Sequence, residues 1–302
     1  MISNLLNKTS GFIKIPIIFF LSIITNRKKK QWELLKFNNK PIKLNLSVNH
    51  KAKIFAAGDI ARVLYTNQLG VKLGRGFESE EISYFEKNIK DGDIVIDAGA
   101  NIGLYSIIAS KLVGKSGEVH SFEPALETFN ILEKNILINN LSNVKINKMG
   151  LGDKEGKFVL SIPNDVPYGF ADSYRFVDLT TNEVTDSKKS EIINIQTIDN
   201  YCAVNKVSHV DFIKIDVEGL QYQVLIGAKK TLENNRVIIL FEAPPTDLVK
   251  NIKNYKQEDS FIFLNSIGYS IYIIEGKKLS LLTSPYYSDI GNFLAIKRKD
   301  NN

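Results

Sequence analysis

Short apolar runs alternate along this chain with longer stretches whose apolar residues recur at helical spacing. Ile94, Val95 and Ile96 form a β-branched run that suits a strand buried on both faces of a parallel sheet. Leu104, Tyr105, Ile107, Ile108 and Leu112 then follow a helical period. The same reading predicts strands at residues 118–123, 144–149, 210–215 and 237–241, the last stopped by Pro244 and Pro245. Residues 269–274 and 293–298 read as a terminal hairpin around Gly276-Lys277 and a polar loop. Val224, Leu225, Ala228 and Leu232 mark the core face of a helix, and alternation over 42–66 predicts short strands with turns at Asn49-His50 and Ala57-Gly58-Asp59. Strands alternating with helices predict an α/β fold with a mainly parallel sheet.

Chemistry concentrates where these strands end. In DIVIDAGANIG, Asp97, Gly99 and Gly103 stand at a strand-to-helix junction, where glycine tolerates positive φ and lets backbone N–H groups approach a ligand. The dinucleotide fingerprint G-x-G-x-x-G requires glycine where this chain has Asn101 and Leu104, so the segment departs from a pyrophosphate site. S-adenosylmethionine is the expected cofactor. Glu123, ending EVHSFE, lies 123 − 99 = 24 positions beyond the first glycine, near the spacing of about 20 at which an acid takes ribose hydroxyls. The third strand leads into GLGD, which would place adenine near Gly150 to Asp153.

VIDAGANIG, the FEP after the second strand, and IKIDVEG at residues 213–219 resemble the FkbM-type family of S-adenosylmethionine-dependent methyltransferases, over roughly residues 77–298. The resemblance implies a Rossmann-like, class I methyltransferase sheet of seven strands with the last antiparallel, and methyl transfer, usually to oxygen. It also implies cofactor contacts from Asp97, Gly99, Asn101, Gly103, Glu123, Pro124, Gly150, Leu151, Asp153 and Asp216, with Glu78 of GFES at the cofactor or substrate site. Family members act on glycans, polyketides and other small metabolites, and polysaccharide biosynthesis is the expected setting.

Asp216 and Glu218 are the candidate catalytic residues, because ligands of open α/β sheets bind at the carboxyl ends of strands. Two apart in an extended segment, they would share one side; the alternative is that one merely caps the next helix. Glu242 adds a third acid to the same edge, so Asp216 and Glu242 are candidate Mg²⁺ ligands. His50, His120 and His209 read as structural. The polar, aromatic-bearing segment 164–190, with Tyr168, Phe170, Tyr174 and Phe176, reads as a loop over a small-molecule or glycan acceptor.

Composition and charge complete the expectation. The 302 residues, 44% hydrophobic, suffice for one enzyme domain (residues 91–302), a cap of short strands and a helix over the cleft (41–90) and an N-terminal extension (1–40). A single cysteine, Cys202, fits a reducing cytoplasm. The net charge of +6 resides in residues 1–50, where nine Lys/Arg and one Glu give +8; the remainder carries 6 − 8 = −2. That near-neutral remainder lacks the basic footprint of a nucleic-acid binder. The apolar run 15–24, about 15 Å as helix, is too short for a hydrocarbon core of about 30 Å. With Arg27 and Lys28 to Lys30 behind it, the segment 12–30 is expected to contact the inner membrane surface peripherally, or else to pack on protein. The competing functional readings are an RNA or protein methyltransferase and a non-catalytic cofactor-binding scaffold.

Overall fold

The computed structural model describes residues 41–55, 78–163, 176–178, 187–244, 255–275, 278–284 and 291–298. The chain opens on an antiparallel hairpin, β1 (Pro41–Asn45) and β2 (Lys51–Phe55), then helix α1 (Ser79–Asn88). There follow β3 (Ile94–Ala98), α2 (Leu104–Leu112), β4 (Glu118–Phe122), α3 (Leu126–Ile138) and β5 (Val144–Asn147). After an inserted sheet come α4 (Ile198–Asn205), β10 (Phe212–Ile215), α5 (Gln221–Gly227), α6 (Lys229–Asn234) and β11 (Ile238–Glu242). Helix α7 (Gln257–Ser266) leads to β12 (Tyr269–Glu275), β13 (Lys278–Leu281) and β14 (Asn292–Lys297).

The main sheet has the order β13-β12-β14-β11-β10-β3-β4-β5. Strands β5, β4, β3, β10 and β11 are parallel, and β14 runs antiparallel to both β11 and β12. This is the α/β, Rossmann-like arrangement expected, with one addition: the count of seven strands becomes eight, because β13 folds back on the outer edge of β12. The hairpin expected between the last two strands is present as β12 and β14, with β13 inserted between them in sequence.

Alternate residues of the central strands supply the two faces. Val95, Phe212 and Leu240 join α1, α2 and α3 in one core cluster. Ile96, Ile213, Ile215, Ile239 and Phe241 join α4 to α7 in the other. Aromatic edges lock both: Phe85 meets Phe212 at 5.1 Å on the first face, and Phe261 meets Phe293 at 4.8 Å on the second. Asp97 and Lys214 therefore fall on the first face.

Residues 150–196 build a second sheet in the order β6-β9-β7-β8, from β6 (Gly150–Leu151), β7 (Gly156–Pro163), β8 (Phe176–Asp178) and β9 (Ser187–Gln196). This corrects two expectations. The third strand ends at Asn147 rather than at 149, where the Met149 N–H turns back onto the Asn147 carbonyl. The segment 164–190 is not wholly a loop, since it contributes β8 and the start of β9; Tyr168, Phe170 and Tyr174 lie outside the described residues, as do residues 1–40. Among the described residues no helix is long and apolar enough to cross a membrane.

The hairpin is fixed to the body by polar contacts. Asn135 of α3 and Asn139 at its C-terminal cap accept from the N–H groups of Phe55 and Lys53 along the open edge of β2. Asn135 also donates to the Ile102 carbonyl in the glycine turn, so the hairpin and that turn share one anchor. At the other end Glu86 of α1 binds His50 Nδ1 at 2.7 Å and accepts from the Ser47 hydroxyl and the Asn49 amide. Burial acts to raise the Glu86 carboxyl, but these three partners outweigh it and leave it below its ordinary range. Its stabilisation is therefore complete above the unfolded carboxylate value and lost as pH falls through the lowered folded one. Glu86→Ala is expected to cost about 1–3 kcal/mol at neutral pH, and urea midpoints of parent and variant should converge in acid. A constant gap across that range would refute the assignment.

Candidate cofactor cleft

The chain runs from β3 outward through β4 to β5, then returns through β10 and β11 on the other side of β3. Strand order thus reverses between β3 and β10, the place where open α/β sheets leave a crevice at their carboxyl ends. Gly99 sits there with φ +80°, and a Cβ on it would lie 1.8 Å from the backbone oxygen of Asp216. The turn is stitched to both neighbours: Gly99 and Ala100 donate to the Phe122 carbonyl, and Asp216 donates to that of Ala98. Gly103, φ +94°, answers a different demand from ligand approach, since a Cβ there would meet Leu132 Cδ1 of α3 at 2.8 Å. It permits α2 and α3 to pack.

Glu123, 7% exposed, accepts from the Asn101 N–H through one carboxylate oxygen and from the Ala125 N–H through the other. Asn101 adopts φ +49° and turns its own Oδ1 onto the Ile102 N–H, which shapes the loop between the two motifs. Glu191 of β9 receives the Leu126 N–H at the start of α3, just past Pro124, and so ties the second sheet to the same corner.

A narrow cleft is lined by Glu78, the loop from Gly99 to Ile102, Leu104, Tyr105, Lys214 and Asp216. Lys214 is its buried cation. Its Nζ donates to Asp216 Oδ2 at 2.9 Å and lies 4.6 Å from the Tyr105 ring centroid. Burial would lower this ammonium, but Asp216, Asp97 and Glu78 outweigh it and drive it upward, so it stays charged. Asp97 is 0% exposed; its Oδ2 accepts from Ser106, while Oδ1 has no partner among the described residues. The Tyr105 hydroxyl donates to Glu78 Oε2 at 2.7 Å, and burial pushes the Glu78 carboxyl up to about 7 despite Lys214 and Tyr105.

Glu218 and Glu242 extend this acidic edge. Burial raises both carboxyls well above the usual range; Asp216 adds to each, and Glu242 adds to Glu218. The expected common side for Asp216 and Glu218 is corrected, because β10 stops at Ile215 and Glu218 turns to φ +52°. Asp216 Oδ2 is engaged by the Lys214 ammonium.

The Mg²⁺ expectation gains no support from the described residues. Among the described residues no three His, Cys, Asp or Glu side chains could hold a metal ion. The Lys214 ammonium already occupies the cation position beside Asp216 Oδ2. Of the expected cofactor residues, Gly103, Glu123, Pro124, Gly150, Leu151 and Asp153 do not line this cleft: Gly150 and Leu151 pair with Ile195 and Gln196, Leu151 is buried core, and Asp153 is exposed. His120 is buried against Tyr201, with 2.8 Å between Nδ1 and the hydroxyl, and burial raises the Cys202 thiol to about 11. Neither lies at the cleft. Lys214 and Tyr105 are functional candidates that the motif reading passed over, although a lone lysine inside the apolar strand FIKI is itself a signal.

Methyltransferase 1 of Beauveria bassiana (strain ARSEF 2860) is 25% identical over 150 residues, covering 45% of this chain and 59% of that protein. The 31-O-demethyl-FK506 methyltransferase FkbM of Streptomyces tacrolimicus is 23% identical over 161 residues, covering 47% and 61%. The chain thus spans about three-fifths of the length of these curated relatives. Among solved structures, methyltransferase FkbM from Methylobacillus flagellatus KT is 14% identical with a TM-score of 0.42, covering 89% of this chain and 59% of that one. The S-adenosylmethionine-dependent O-methyltransferase of Thermotoga maritima gives 15% and 0.42, covering 83% and 76%. The methyltransferase FkbM domain matches residues 97–269, more than half of the chain, and takes in the glycine turn, Glu123, Lys214 and the acids through Glu242; the chain belongs to the FkbM methyltransferase family.

Proposed function

We propose that this chain transfers the methyl group of S-adenosylmethionine to a hydroxyl oxygen of a sugar, a glycan precursor or another small metabolite. The observation that carries the reading is the crevice at the strand-order reversal, where several carboxylates surround one buried ammonium. The residues fit this cofactor. Gly99 keeps the cradle free of a Cβ, Glu123 fixes the Asn101 and Ala125 N–H groups beside it, and the carboxylates around Lys214 suit a sulfonium. When bound, the cofactor supplies a methyl group activated for attack by an oxygen nucleophile.

The protein's part is to orient two reactants and receive one proton. Alignment alone can supply about 7–11 kcal/mol. Glu218, in its ionised form, accepts the proton of the acceptor hydroxyl as the oxygen–carbon bond forms and the sulfur–methyl bond breaks, while Asp216 Oδ2 holds Lys214. The balance of −2 beyond residue 50 supports a small acceptor over a polyanion such as RNA.

Calorimetry with S-adenosylmethionine, and with NAD as control, tests the reading. The parent chain is expected to bind the former alone. Glu123→Ala should weaken that binding roughly 10–100-fold, as loss of hydrogen bonds to a charged group does. Preference for NAD, or an unaffected variant, would overturn the assignment.

A further inference from the structure

Glu78 and Asp216, which line the same cleft, are joined by a series of contacts. The Tyr105 hydroxyl donates to Glu78 at 2.7 Å, Lys214 Nζ lies 4.6 Å from the Tyr105 ring centroid, and the same Nζ donates to Asp216 at 2.9 Å. The connecting residues are buried, Tyr105 at 5% exposure and Lys214 at 7%, while all four line the cleft. The ring of Phe85 meets Tyr105 edge-on at 4.9 Å, which holds the phenol in place. Neither Tyr105 nor Lys214 offers the cleft a free charge: one is a neutral phenol, and the other's ammonium is turned onto a carboxylate and a ring.

We propose that Tyr105 and Lys214 are positioning residues that hold Glu78 and Asp216 as neighbouring anionic groups, and that this arrangement makes the cleft retain the cationic sulfonium cofactor in preference to its neutral thioether product. The inference rests on the cofactor reading above. S-adenosylmethionine and S-adenosylhomocysteine share adenosine and the amino-acid end; they differ by one methyl group and one positive charge. Three carboxylates (Glu78, Asp97 and Asp216) around one ammonium leave an excess of negative charge when ionised, and in a buried site such charge acts through little screening. The interaction is present with the cofactor and vanishes with its product, so turnover itself releases the hold.

The test is a set of calorimetric titrations with each ligand on the parent, Tyr105→Phe, Glu78→Gln and the double variant. Tyr105→Phe keeps the ring over Lys214 and removes only the hydroxyl. Its affinity for S-adenosylmethionine is expected to fall about tenfold, the effect of one hydrogen bond to a charged group, with S-adenosylhomocysteine nearly unaffected. The loss should disappear in the Glu78→Gln background. Glu78 faces Tyr105 from α2, Lys214 from β10, Asp216 after β10, Glu81 on α1 and Glu242 from β11. The Tyr105 bond favours its ionised form, so the variant should lose cofactor affinity at a higher pH than the parent as acid is added. Equal losses for both ligands would mean a merely structural role and overturn the proposal. Equal parent affinities for both ligands would also overturn it while leaving the cofactor reading intact, whereas no binding of either would overturn both.

Discussion

Gly99→Ala is expected to remove cofactor binding and to lower the urea midpoint more than an alanine at any other described positive-φ glycine with open space around it. Two costs add at this position. A left-handed backbone conformation costs a side-chain-bearing residue about 1–3 kcal/mol. The new methyl group would lie 1.8 Å from the Asp216 backbone oxygen, and forcing such atoms apart typically costs a further 1–3 kcal/mol or so. Relief requires β3 and β10 to separate at the crevice, so the Asp216–Lys214 pair moves with them. Gly268→Ala is the control, because Gly268 has φ +89° with nothing within 4 Å of its missing Cβ. It should show the conformational cost alone and bind cofactor normally. Equal midpoints for the two variants would show that the close approach at Gly99 contributes nothing.

Glu218→Gln is expected to cut turnover by about 10²–10⁴-fold, the usual contribution of a positioned base, with cofactor affinity nearly unchanged. It should also stabilise the protein. Burial first, and then the charges of Asp216 and Glu242, raise the Glu218 carboxyl, so the folded chain holds that proton more tightly than the unfolded chain does. Stability is therefore highest below the unfolded carboxylate value and declines as pH rises toward the elevated folded one. A neutral amide of the same shape escapes the decline, so thermal unfolding of the variant should occur at a higher temperature than that of the parent above neutral pH. Activity of the parent should rise with pH along an acid limb displaced above the ordinary carboxylate range. A helix-capping role predicts the opposite pair of results, lower stability and intact turnover, and observing them would exclude Glu218 as the base. Loss of activity with gain of stability is the trade common at sites where a strained or buried group serves chemistry.

The glycine turn and the acids of IDVEG were legible because they combine local backbone demands with a change from strand to helix period. Their roles were less so. Gly103 reads like a ligand-binding glycine, yet its lack of a Cβ serves the packing of Leu132, which comes from a helix two elements later. The Glu123 bond to the Asn101 N–H spans 22 positions and depends on the register of β3 with β4, beyond the reach of local pattern. The second sheet escaped notice for the same reason: β7 and β9 are joined by a long-range antiparallel register from Gly156 with Ile195 onward. Lys214 could have been found, since an unbroken strand buried on both faces admits a charge only when partners await it.

The inserted sheet enters and leaves the body at one point. Gly150 and Leu151 pair with Ile195 and Gln196, so the chain departs and returns side by side. The described strands β7 and β8 lie between these two crossings, with the Glu191 bond to the Leu126 N–H as a second tie, and chain-closure cost grows only slowly with length. The molecule thus has an exchangeable fitting: segments of different size and chemistry can be mounted there without disturbing the order of the eight main strands. Descent with a constant engine and a changing attachment is the kind of history such a layout permits.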